Sequence, residues 1–452
     1  MRGPQRAEEG AKGLVREAGD PHAGAMDLSA RNRARAARWP RFLAWMAQGS
    51  SARAAPSPHG EAGVLVLDGI HLVAPLDPEG EASQLVGAVD EERSELWCFG
   101  LGEGRAIAAL LARERTTRLH VVGLSARAVN ATMAARDAAW LEDARVVLHA
   151  PDEVSPNSFE AARGARVLAS AELRLAEPSA ARDAILLALA AAHQARWIEG
   201  RRALRAERAD ANSDRFPGDG DVASLFSTRP GAHAVIAGGG PSLVPVVTSV
   251  PRGEVLLVAV STALAPLEAR EIVPDVVVMV DTHPLLLEHL RVLRRPDALA
   301  RVPLVHAADL DADVLSAWPG PRLAAHLALP GYAAAKTPRG VLFCSGTVAH
   351  TAVDLAVKMG AATVRLAGLD FAYPSGATHA EGAVFRGRRD RGSVSVRSVT
   401  GELVPTDVNL LGYLRDLERY IAAHPSVRFV NGSASGAHIA GTSHEPALGE
   451  LR

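Results

Sequence analysis

Short apolar runs alternate with polar, turn-forming stretches along most of the chain, and this alternation is clearest after residue 230. The apolar run His233–Ala237 ends in three glycines and is followed by Pro241, Ser242 and a second apolar stretch. This order predicts a buried strand, a tight turn and the start of a helix. Further strands are predicted at 254–260, 276–280, 304–306, 322–325, 340–344 and 362–367. Strands that alternate with helical stretches in this way predict a parallel sheet covered by helices on both faces.

A shorter stretch with the same alternation of strands and helices precedes residue 205. The apolar run Glu95–Phe99 leads into Gly100-Leu-Gly102-Glu-Gly104 and then into a helical stretch at 105–113, which is the opening of a Rossmann-type unit. The next predicted strand, 118–122, ends in Gly123-Leu-Ser125, where a unit that binds a ribose carries an acidic residue. We therefore predict a degenerate Rossmann-like module.

The composition along the chain predicts a lead-in and two domains. Residues 1–57 are rich in Ala, Arg, Gly, Ser and Pro, so we expect a disordered or weakly ordered segment. A helical pattern at 179–211 is followed by a stretch rich in Gly, Pro and Asp. We therefore predict a Rossmann-like domain at 58–205 and a second, doubly wound and mainly parallel α/β domain at 206–452.

The overall charge and the cysteines narrow the class of ligand. The 452 residues carry a formal net charge of −2, which argues against a surface for nucleic acid. Cys98 and Cys344 are far apart, so they provide neither a disulfide framework nor a zinc knuckle. No apolar run has the length of a membrane span, and the N-terminus lacks the apolar core of a signal peptide. We expect a cytoplasmic protein that binds small molecules and neither nucleic acid nor membrane.

The polar candidates lie after the predicted strands, which is where ligands bind in open α/β sheets. The candidates that could contact a nucleotide or its phosphates are Gly238, Gly239, Gly240, Ser242, Ser261, Thr262, Ser345, Gly346, Thr347 and Asn431. Glycines can take a positive φ and let a ligand approach bare backbone, while a helix start carries partial positive charge that suits phosphate. The alternative for the glycine run is a tight turn that binds nothing.

Two carboxylates and one imidazole add possible chemistry at the same edge, and of these we expect Asp370 and His379 to be the catalytic groups. Asp281 and Asp370 each follow a predicted strand, and carboxylates beside phosphates usually hold Mg²⁺. A helix cap explains Asp281 and Ser345 equally well, whereas no good helix follows Asp370. His379 lies in a polar loop just beyond Asp370, where an imidazole can act as acid or base near neutral pH. The alternative for His379 is a solvent-facing side chain.

Several of these motifs occur together in a recognisable order. They are Ala237-Gly-Gly-Gly-Pro-Ser-Leu243, the strand ending at Asp281, Ser345-Gly-Thr-Val348, Gly368-Leu-Asp-Phe-Ala-Tyr373 and Thr378-His-Ala380. This set resembles the domain shared by bacterial motility accessory factors and archaeal 6-hydroxymethylpterin diphosphokinases, over about residues 230 to 440. The glycine motif is also similar to the nucleotide loop of bacterial sialyltransferases that use CMP-sugars, which implies a similar fold for the second domain.

The resemblance implies a nucleotide-dependent transferase. Motility accessory factors are taken to move a nonulosonic acid from a CMP donor to flagellin hydroxyls, whereas the pterin enzymes move pyrophosphate from ATP to a pterin alcohol with Mg²⁺. In both branches the resemblance implies that Gly239, Gly240 and Ser242 hold phosphate. It also implies that Asp281 and Asp370 lie near metal or ribose and that His379 carries a proton.

The N-terminal module favours the first branch, because a pterin kinase needs only the second domain. The expected partners are then a CMP-sugar donor and a protein acceptor similar to flagellin; in the second branch they are ATP and a pterin. The chain has few aromatic residues with which to recognise a sugar or stack a pterin. A non-catalytic nucleotide-binding module is a third hypothesis, motivated by the degenerate first domain.

Overall fold

The structure is a computed structural model that describes residues 27–49, 55–56, 64–212, 214, 218–250, 253, 255–282, 285–328, 338–390 and 392–446. Its contacts divide the chain into two compact units. Unit 1 comprises Met1–Val154 and Ala162–Ala176, and unit 2 comprises Ser155–Ala161 and Glu177–Arg452. The sequence placed the boundary near residue 205. The difference arises because the long helix that follows Ser179 groups with unit 2 and packs against a helix near the C-terminal end of that unit.

The elements of unit 1 are as follows. Its helices are α1 (Leu28–Arg35), α2 (Pro40–Met46), α3 (Pro78–Gly87), α4 (Arg105–Leu111), α5 (Ala126–Ala135) and α7 (Ser170–Leu175), and α6 (Ser158–Ala161) belongs to unit 2. Its strands are β1 (Ala55–Pro56), β2 (Leu65–Leu67), β3 (Ile70–His71), β4 (Glu95–Phe99), β5 (Arg118–Val122), β6 (Val146–His149) and β7 (Arg166–Leu168).

Unit 1 is built on a parallel sheet with the strand order β6-β5-β4-β7. This is the order 3-2-1-4 of a Rossmann-type unit, and it confirms the fold class predicted for this part of the chain. Alternate residues of the central strands, Leu96 and Cys98 in β4 and Leu119 and Val121 in β5, are buried in one core. A separate antiparallel sheet joins β1, β2 and β3.

The predicted lead-in differs from the structure where it is described. Residues 1–26 lie outside the described residues, but α1 and α2 are ordered parts of unit 1. Phe42 and Met46 of α2 are fully buried in the core of this unit. The Asn32 amide of α1 donates hydrogen bonds to the carbonyl oxygens of Met133 (2.8 Å) and Arg136 (2.7 Å). These contacts, and not helix propensity alone, hold the two helices in place.

Unit 2 contains the remaining elements. Its helices are α6, α8 (Ala180–Ala211), α9 (Leu243–Ser249), α10 (Leu264–Glu268), α11 (Leu286–Arg291), α12 (Ala312–Ala317), α13 (Val348–Met359) and α14 (Val408–Ala423). Its strands are β8 (Gly220–Asp221), β9 (His233–Ala237), β10 (Leu256–Val260), β11 (Val276–Met279), β12 (Leu304–Ala307), β13 (Arg322–Ala328), β14 (Val341–Phe343), β15 (Thr363–Ala367), β16 (Val394–Arg397), β17 (Leu403–Thr406), β18 (Arg428–Asn431) and β19 (Ser443–His444).

The large sheet of unit 2 has the order β14-β13-β12-β11-β10-β9-β15-β18-β19, and every pair in it is parallel. Along β9, Ala234 and Ile236 point into one hydrophobic cluster and Val235 and Ala237 into a second. Helices α13 and α14 supply the first cluster, and helices α9 to α12 supply the second. The predicted parallel sheet with helices on both faces is confirmed.

Capping residues bound two of the helices. The Ser179 side chain accepts a hydrogen bond at the start of α8, and Gly360 ends α13 with a φ of 103°. Cys98 and Cys344 are both free and buried. Across the described ranges, every helix is too short or too polar to pass through a bilayer.

Candidate functional site

The chain reverses direction across the sheet of unit 2 between β9 and β15. After β9 the chain adds β10 to β14 on one side of the sheet, and after β15 it adds β18 and β19 on the other. Such a switch point leaves a crevice at the carboxyl ends of the two strands, because their connecting loops depart in opposite directions. The loops at these ends are the glycine turn at 238–240 and the segment 368–370. The strand order therefore brings together two of the motifs found in the sequence.

The three glycines of the turn are required by close backbone packing. None of Gly238, Gly239 and Gly240 has a positive φ, so the turn does not use the left-handed conformation that glycine permits. The Gly238 and Gly240 N–H groups donate to the carbonyl oxygens of Ala367 (2.7 Å) and Gly368 (2.8 Å). A Cβ at Gly240 would overlap Asp370 Oδ2 and lie 2.8 Å from the Gly368 oxygen. The turn is thus joined to the end of β15 with no room for side chains.

Asp370 is a buried carboxylate that holds two neighbouring loops through hydrogen bonds. It is 3% exposed, its Oδ1 accepts from Ser433 Oγ (2.6 Å), and its Oδ2 accepts from the Ser242 N–H (3.1 Å). Burial raises the pKa of the Asp370 carboxyl, and the bonds from Ser433 and Ser242 oppose that shift. The structure therefore presents Asp370 as a positioning residue rather than as the catalytic group that the sequence suggested.

Ser242 is likewise committed to contacts within the protein. Its side chain is buried, and its Oγ accepts a hydrogen bond from the Gly368 N–H (3.0 Å). Its own N–H is the one taken by Asp370, and helix α9 begins at the next residue. The Ser242 N–H that we predicted for a phosphate is thus used by Asp370, and the buried Ser242 hydroxyl contacts the segment after β15.

The accessible part of the turn lies beside Thr262 and His379. Gly239 and Gly240 are partly exposed. A Cβ at Gly239 would lie 2.8 Å from Thr262 Cβ and 3.4 Å from His379 Cδ2. The loop that carries His379 is fixed to the turn, because the Ala380 N–H donates to the Gly239 oxygen (2.9 Å). Backbone, a hydroxyl and an imidazole therefore meet at the mouth of the crevice.

His379 carries the imidazole at this mouth. It is partly buried, and its Nδ1 lies 3.1 Å from Thr378 Oγ1. Burial lowers the pKa of its imidazole, which favours the neutral form at pH 7. Ser261, which we predicted together with Thr262, is buried just after β10.

Asp281 lies apart from Asp370. It follows β11, three positions from β15 in the sheet, which corresponds to about 14 Å at the usual strand spacing. Asp281 is exposed, and its charge adds to burial in raising the pKa values of Tyr413 and Asp309. Asp281 therefore lies near Tyr413 of α14 and near Asp309, which follows β12.

These positions do not fit the Mg²⁺ site that we predicted from Asp281 and Asp370. Mg²⁺ binds carboxylate oxygens directly and keeps several of its waters. Both Asp370 oxygens accept protein hydrogen bonds in a buried position, so neither faces a hydrated ion. Within the described ranges, no group of three or more His, Cys, Asp and Glu residues has the arrangement of a metal site.

The Ser345–Thr347 segment follows β14, at the far edge of the sheet from β15. The Ser345 hydroxyl donates to Asp416, and Thr347 Oγ1 accepts from the Ala349 N–H (3.4 Å) as the N-cap of α13. Gly346 has a φ of 83°, and a Cβ there would lie 2.7 Å from Tyr413 Cε1. The helix cap is Thr347 and not Ser345, and the strand order places the segment away from the glycine turn.

Asn431 supports the crevice from β18. Its amide donates to the Ala437 oxygen (3.1 Å), and its Oδ1 accepts from the Ser433 N–H (3.0 Å). These bonds fix the turn that delivers Ser433 to Asp370. Sequence reasoning missed Ser433, because nothing local marks a serine whose partner lies 63 positions earlier in the chain.

One family model matches the part of the chain that contains this site. Residues 208–376 match the model of a family described as 6-hydroxymethylpterin diphosphokinase MptE-like. The matched segment contains the glycine turn, Thr262 and Asp370, and it ends just before His379.

One solved structure and a search of curated proteins complete the comparison. The MAf glycosyltransferase from Magnetospirillum magneticum AMB-1 is similar over 94% of this chain and 75% of that chain, with 16% sequence identity and a TM-score of 0.43. No curated protein matches the chain.

Proposed function

We propose that unit 2 is a nucleotide-dependent transferase that acts at the crevice between β9 and β15. The observation that carries this proposal is the meeting of the partly exposed Gly239–Gly240 turn, Thr262 and His379 at the switch point of the sheet. Ligands of open α/β folds bind at such points. The MptE-like match over the same strands supports a transferase-type role.

The preferred donor is a CMP-sugar, as in the motility accessory factor branch. Transfer of a phosphoryl group from ATP relies on metal ions that neutralise the charge on the phosphates. Asp370 offers no free oxygen for such an ion, and Asp281 follows a strand about 14 Å away. Departure of CMP from a sugar needs less charge neutralisation, because the leaving group carries one phosphate. The crevice therefore favours glycosyl transfer of a nonulosonic acid.

The residues at the mouth of the crevice suit each part of that reaction. An acceptor hydroxyl oxygen forms a bond to the anomeric carbon while the bond from that carbon to the CMP phosphate oxygen breaks. The electron pair leaves with CMP, whose phosphate lies against the Gly239–Gly240 backbone and the Thr262 hydroxyl. The neutral imidazole of His379 accepts the proton of the acceptor hydroxyl. A protein hydroxyl similar to those of flagellin is the expected acceptor.

The test is release of CMP from a CMP-nonulosonic acid. Purified protein is incubated with the donor and a set of protein acceptors, and free CMP and glycosylated acceptor are measured together. We expect both to appear in equal amounts. Binding of CMP without release in the presence of any acceptor would reject glycosyl transfer and would favour the non-catalytic module.

The second candidate is transfer of pyrophosphate from ATP to a pterin, favoured by the name of the matching family. It predicts that AMP forms from ATP only when 6-hydroxymethyl-dihydropterin and Mg²⁺ are both present. The same preparation of protein is used for both assays. Formation of AMP without any CMP-sugar activity would replace the first candidate by the second.

A further inference from the structure

The Rossmann-type sheet of unit 1 has a switch point of its own. From β4 the chain continues to β5 and β6 on one side, whereas β7 lies on the other. The crevice of such a unit lies at the carboxyl ends of β4 and β7, where glycine-rich backbone N–H groups hold the phosphates of a nucleotide. The loops at this position run through Gly100–Gly104 and through Ala169 to α7.

A side chain of this chain takes the backbone N–H groups of the crevice. Glu172, in the first turn of α7, is 1% exposed and accepts four backbone hydrogen bonds. One carboxylate oxygen accepts from the N–H groups of Leu101 (2.6 Å) and Gly102 (3.1 Å) after β4. The other accepts from those of Leu124 (2.7 Å) and Ser125 (3.2 Å) after β5. This set of donors is the kind that binds a phosphate in a nucleotide-binding unit.

The glycines of the turn make room for the protein itself. Gly100 has a φ of 87°, and a Cβ there would lie 2.8 Å from Ala169 Cβ and 3.3 Å from Glu172 Cβ. All residues from Gly100 to Gly104 are buried. In unit 2, by contrast, Gly239 and Gly240 are partly exposed. The first glycine turn therefore faces its own chain, and the second faces outward.

The ribose end of the crevice in unit 1 is also covered. A nucleotide-binding unit places an acidic residue at the end of its second strand, but here that position is Gly123. A Cβ at Gly123 would lie 2.5 Å from Trp45 Cη2 and 3.0 Å from Phe42 Cε2. Helix α2 therefore packs its aromatic rings where a ribose would need space.

We propose that unit 1 is a nucleotide-binding fold whose ligand site is occupied by its own chain, with the Glu172 carboxylate on the anion-binding N–H groups and α2 over the ribose end. The chain then binds nucleotide through unit 2 alone. The site in unit 1 is a carboxylate site, and a small carboxylate anion fits it when the Glu172 side chain is removed. Burial raises the pKa of the Glu172 carboxyl, and the four N–H groups oppose this shift.

The test uses the full chain with Glu172→Ala and acetate as the probe. Removing the carboxylate leaves four buried N–H groups without an acceptor, so we expect the melting temperature to fall by about 5–10 °C. Acetate at 0.1 M should recover at least half of this loss, whereas chloride at equal ionic strength should not. The matched control is Glu153→Ala, which removes a carboxylate that accepts one backbone hydrogen bond in the same unit and should show no acetate effect.

Two further measurements keep the proposal testable if Glu172→Ala does not fold. Glu172→Gln keeps the volume but loses acceptor capacity, so it should fold with a smaller fall in melting temperature. In the wild-type protein, hydrogen exchange at the 101–102 and 124–125 amides should be slow and unchanged by CMP, ATP or NAD⁺. Added protection of these amides by a nucleotide, wild-type stability of Glu172→Ala, or equal recovery in chloride would each overturn the proposal. None of these outcomes depends on the reaction proposed for unit 2.

Discussion

Gly240 shows how a single methyl group would affect the crevice of unit 2. Its position is set by backbone contacts to Gly368 and by Asp370 Oδ2, both from the segment that follows β15. Neither contact involves a flexible side-chain end with space to move, because Asp370 is itself held by Ser433 and Ser242. Close backbone approach, rather than a special φ, explains the glycine.

We predict that Gly240→Ala lowers the free energy of unfolding by about 1–3 kcal/mol, because the added Cβ overlaps Asp370 and the Gly368 oxygen. Denaturant unfolding and CMP binding should both be measured. The matched control is Gly200→Ala in the interior of α8, where a Cβ meets nothing within 4 Å. The control should be neutral or slightly stabilising, by up to about 1 kcal/mol. An equal loss in both variants would contradict the close approach.

We predict that His379 sets the acid limb of the pH profile of kcat/KM. The base must be neutral, and burial lowers its pKa from the usual 6.5, so activity should persist below pH 6.5 and fall at lower pH. His379→Gln should reduce kcat about 10²–10⁴-fold and remove this limb. His233→Ala, at the opposite end of β9, is the control and should leave the profile unchanged. An acid limb that survives in His379→Gln would assign the base elsewhere.

At the residue scale, the sequence predicted which positions lie together, but it predicted their roles less well. The glycine turn and Asp370 were predicted to lie at one sheet edge, and they do. Their contacts with each other could not be predicted, because they depend on which strands are neighbours. Asp370 is a positioning residue only because Ser433 and the Ser242 N–H reach it, and both contacts are long-range.

At the scale of elements, the strands and capped helices were predictable from local signals. Helix α8 begins after Ser179, α13 ends at Gly360, and β9 occupies the apolar run that precedes the glycines. Helix α1 was missed, because its arginine-rich sequence has the composition of a disordered segment. Its stability comes from partners about 100 residues away, such as the Met133 oxygen that accepts from Asn32.

We predict that Asn32→Ala destabilises unit 1 by about 1–3 kcal/mol. The buried Asn32 amide donates to the Met133 and Arg136 oxygens, and its Oδ1 accepts from the Ala138 N–H, so truncation leaves these groups unpaired. Arg33→Ala, on the exposed side of the same helix, should change stability by less than about 0.5 kcal/mol. Equal stabilities of the two variants by chemical denaturation would mean that α1 is not held by these bonds.

At the scale of the whole molecule, the alternation of strands and helices predicted the class of both units but not the strand order. Strand β15 pairs with β9 although the two are separated by about 130 residues of chain. Nothing in either strand specifies this neighbour, since all these strands are apolar and pair in parallel. Local sequence signals also could not predict the boundary between the units, because it depends on the core against which α8 packs.

We predict that each chain binds one nucleotide, since of the two described glycine turns the one in unit 2 is partly exposed and the one in unit 1 is buried. Titration calorimetry with CMP, CDP, ATP and GTP, with and without Mg²⁺, should give a stoichiometry of one for the ligands that bind. Cytidine nucleotides should bind more tightly than ATP, with little dependence on Mg²⁺. At 100 times its dissociation constant, CMP should stabilise the protein by about 2.7 kcal/mol. A stoichiometry of two would show that unit 1 is open.

The pairing of Asp370 with Ser433 also determines when during synthesis the crevice can be completed. A ribosome delivers the glycine turn and its neighbour β15 well before the segment after β18 emerges. Until then the Asp370 carboxylate lacks the hydroxyl that holds it, and the turn lacks its fixed support. A nascent chain released before residue 433 therefore carries the glycine turn and Asp370 without the hydroxyl that holds them, so we expect such a product to lack the proposed activity.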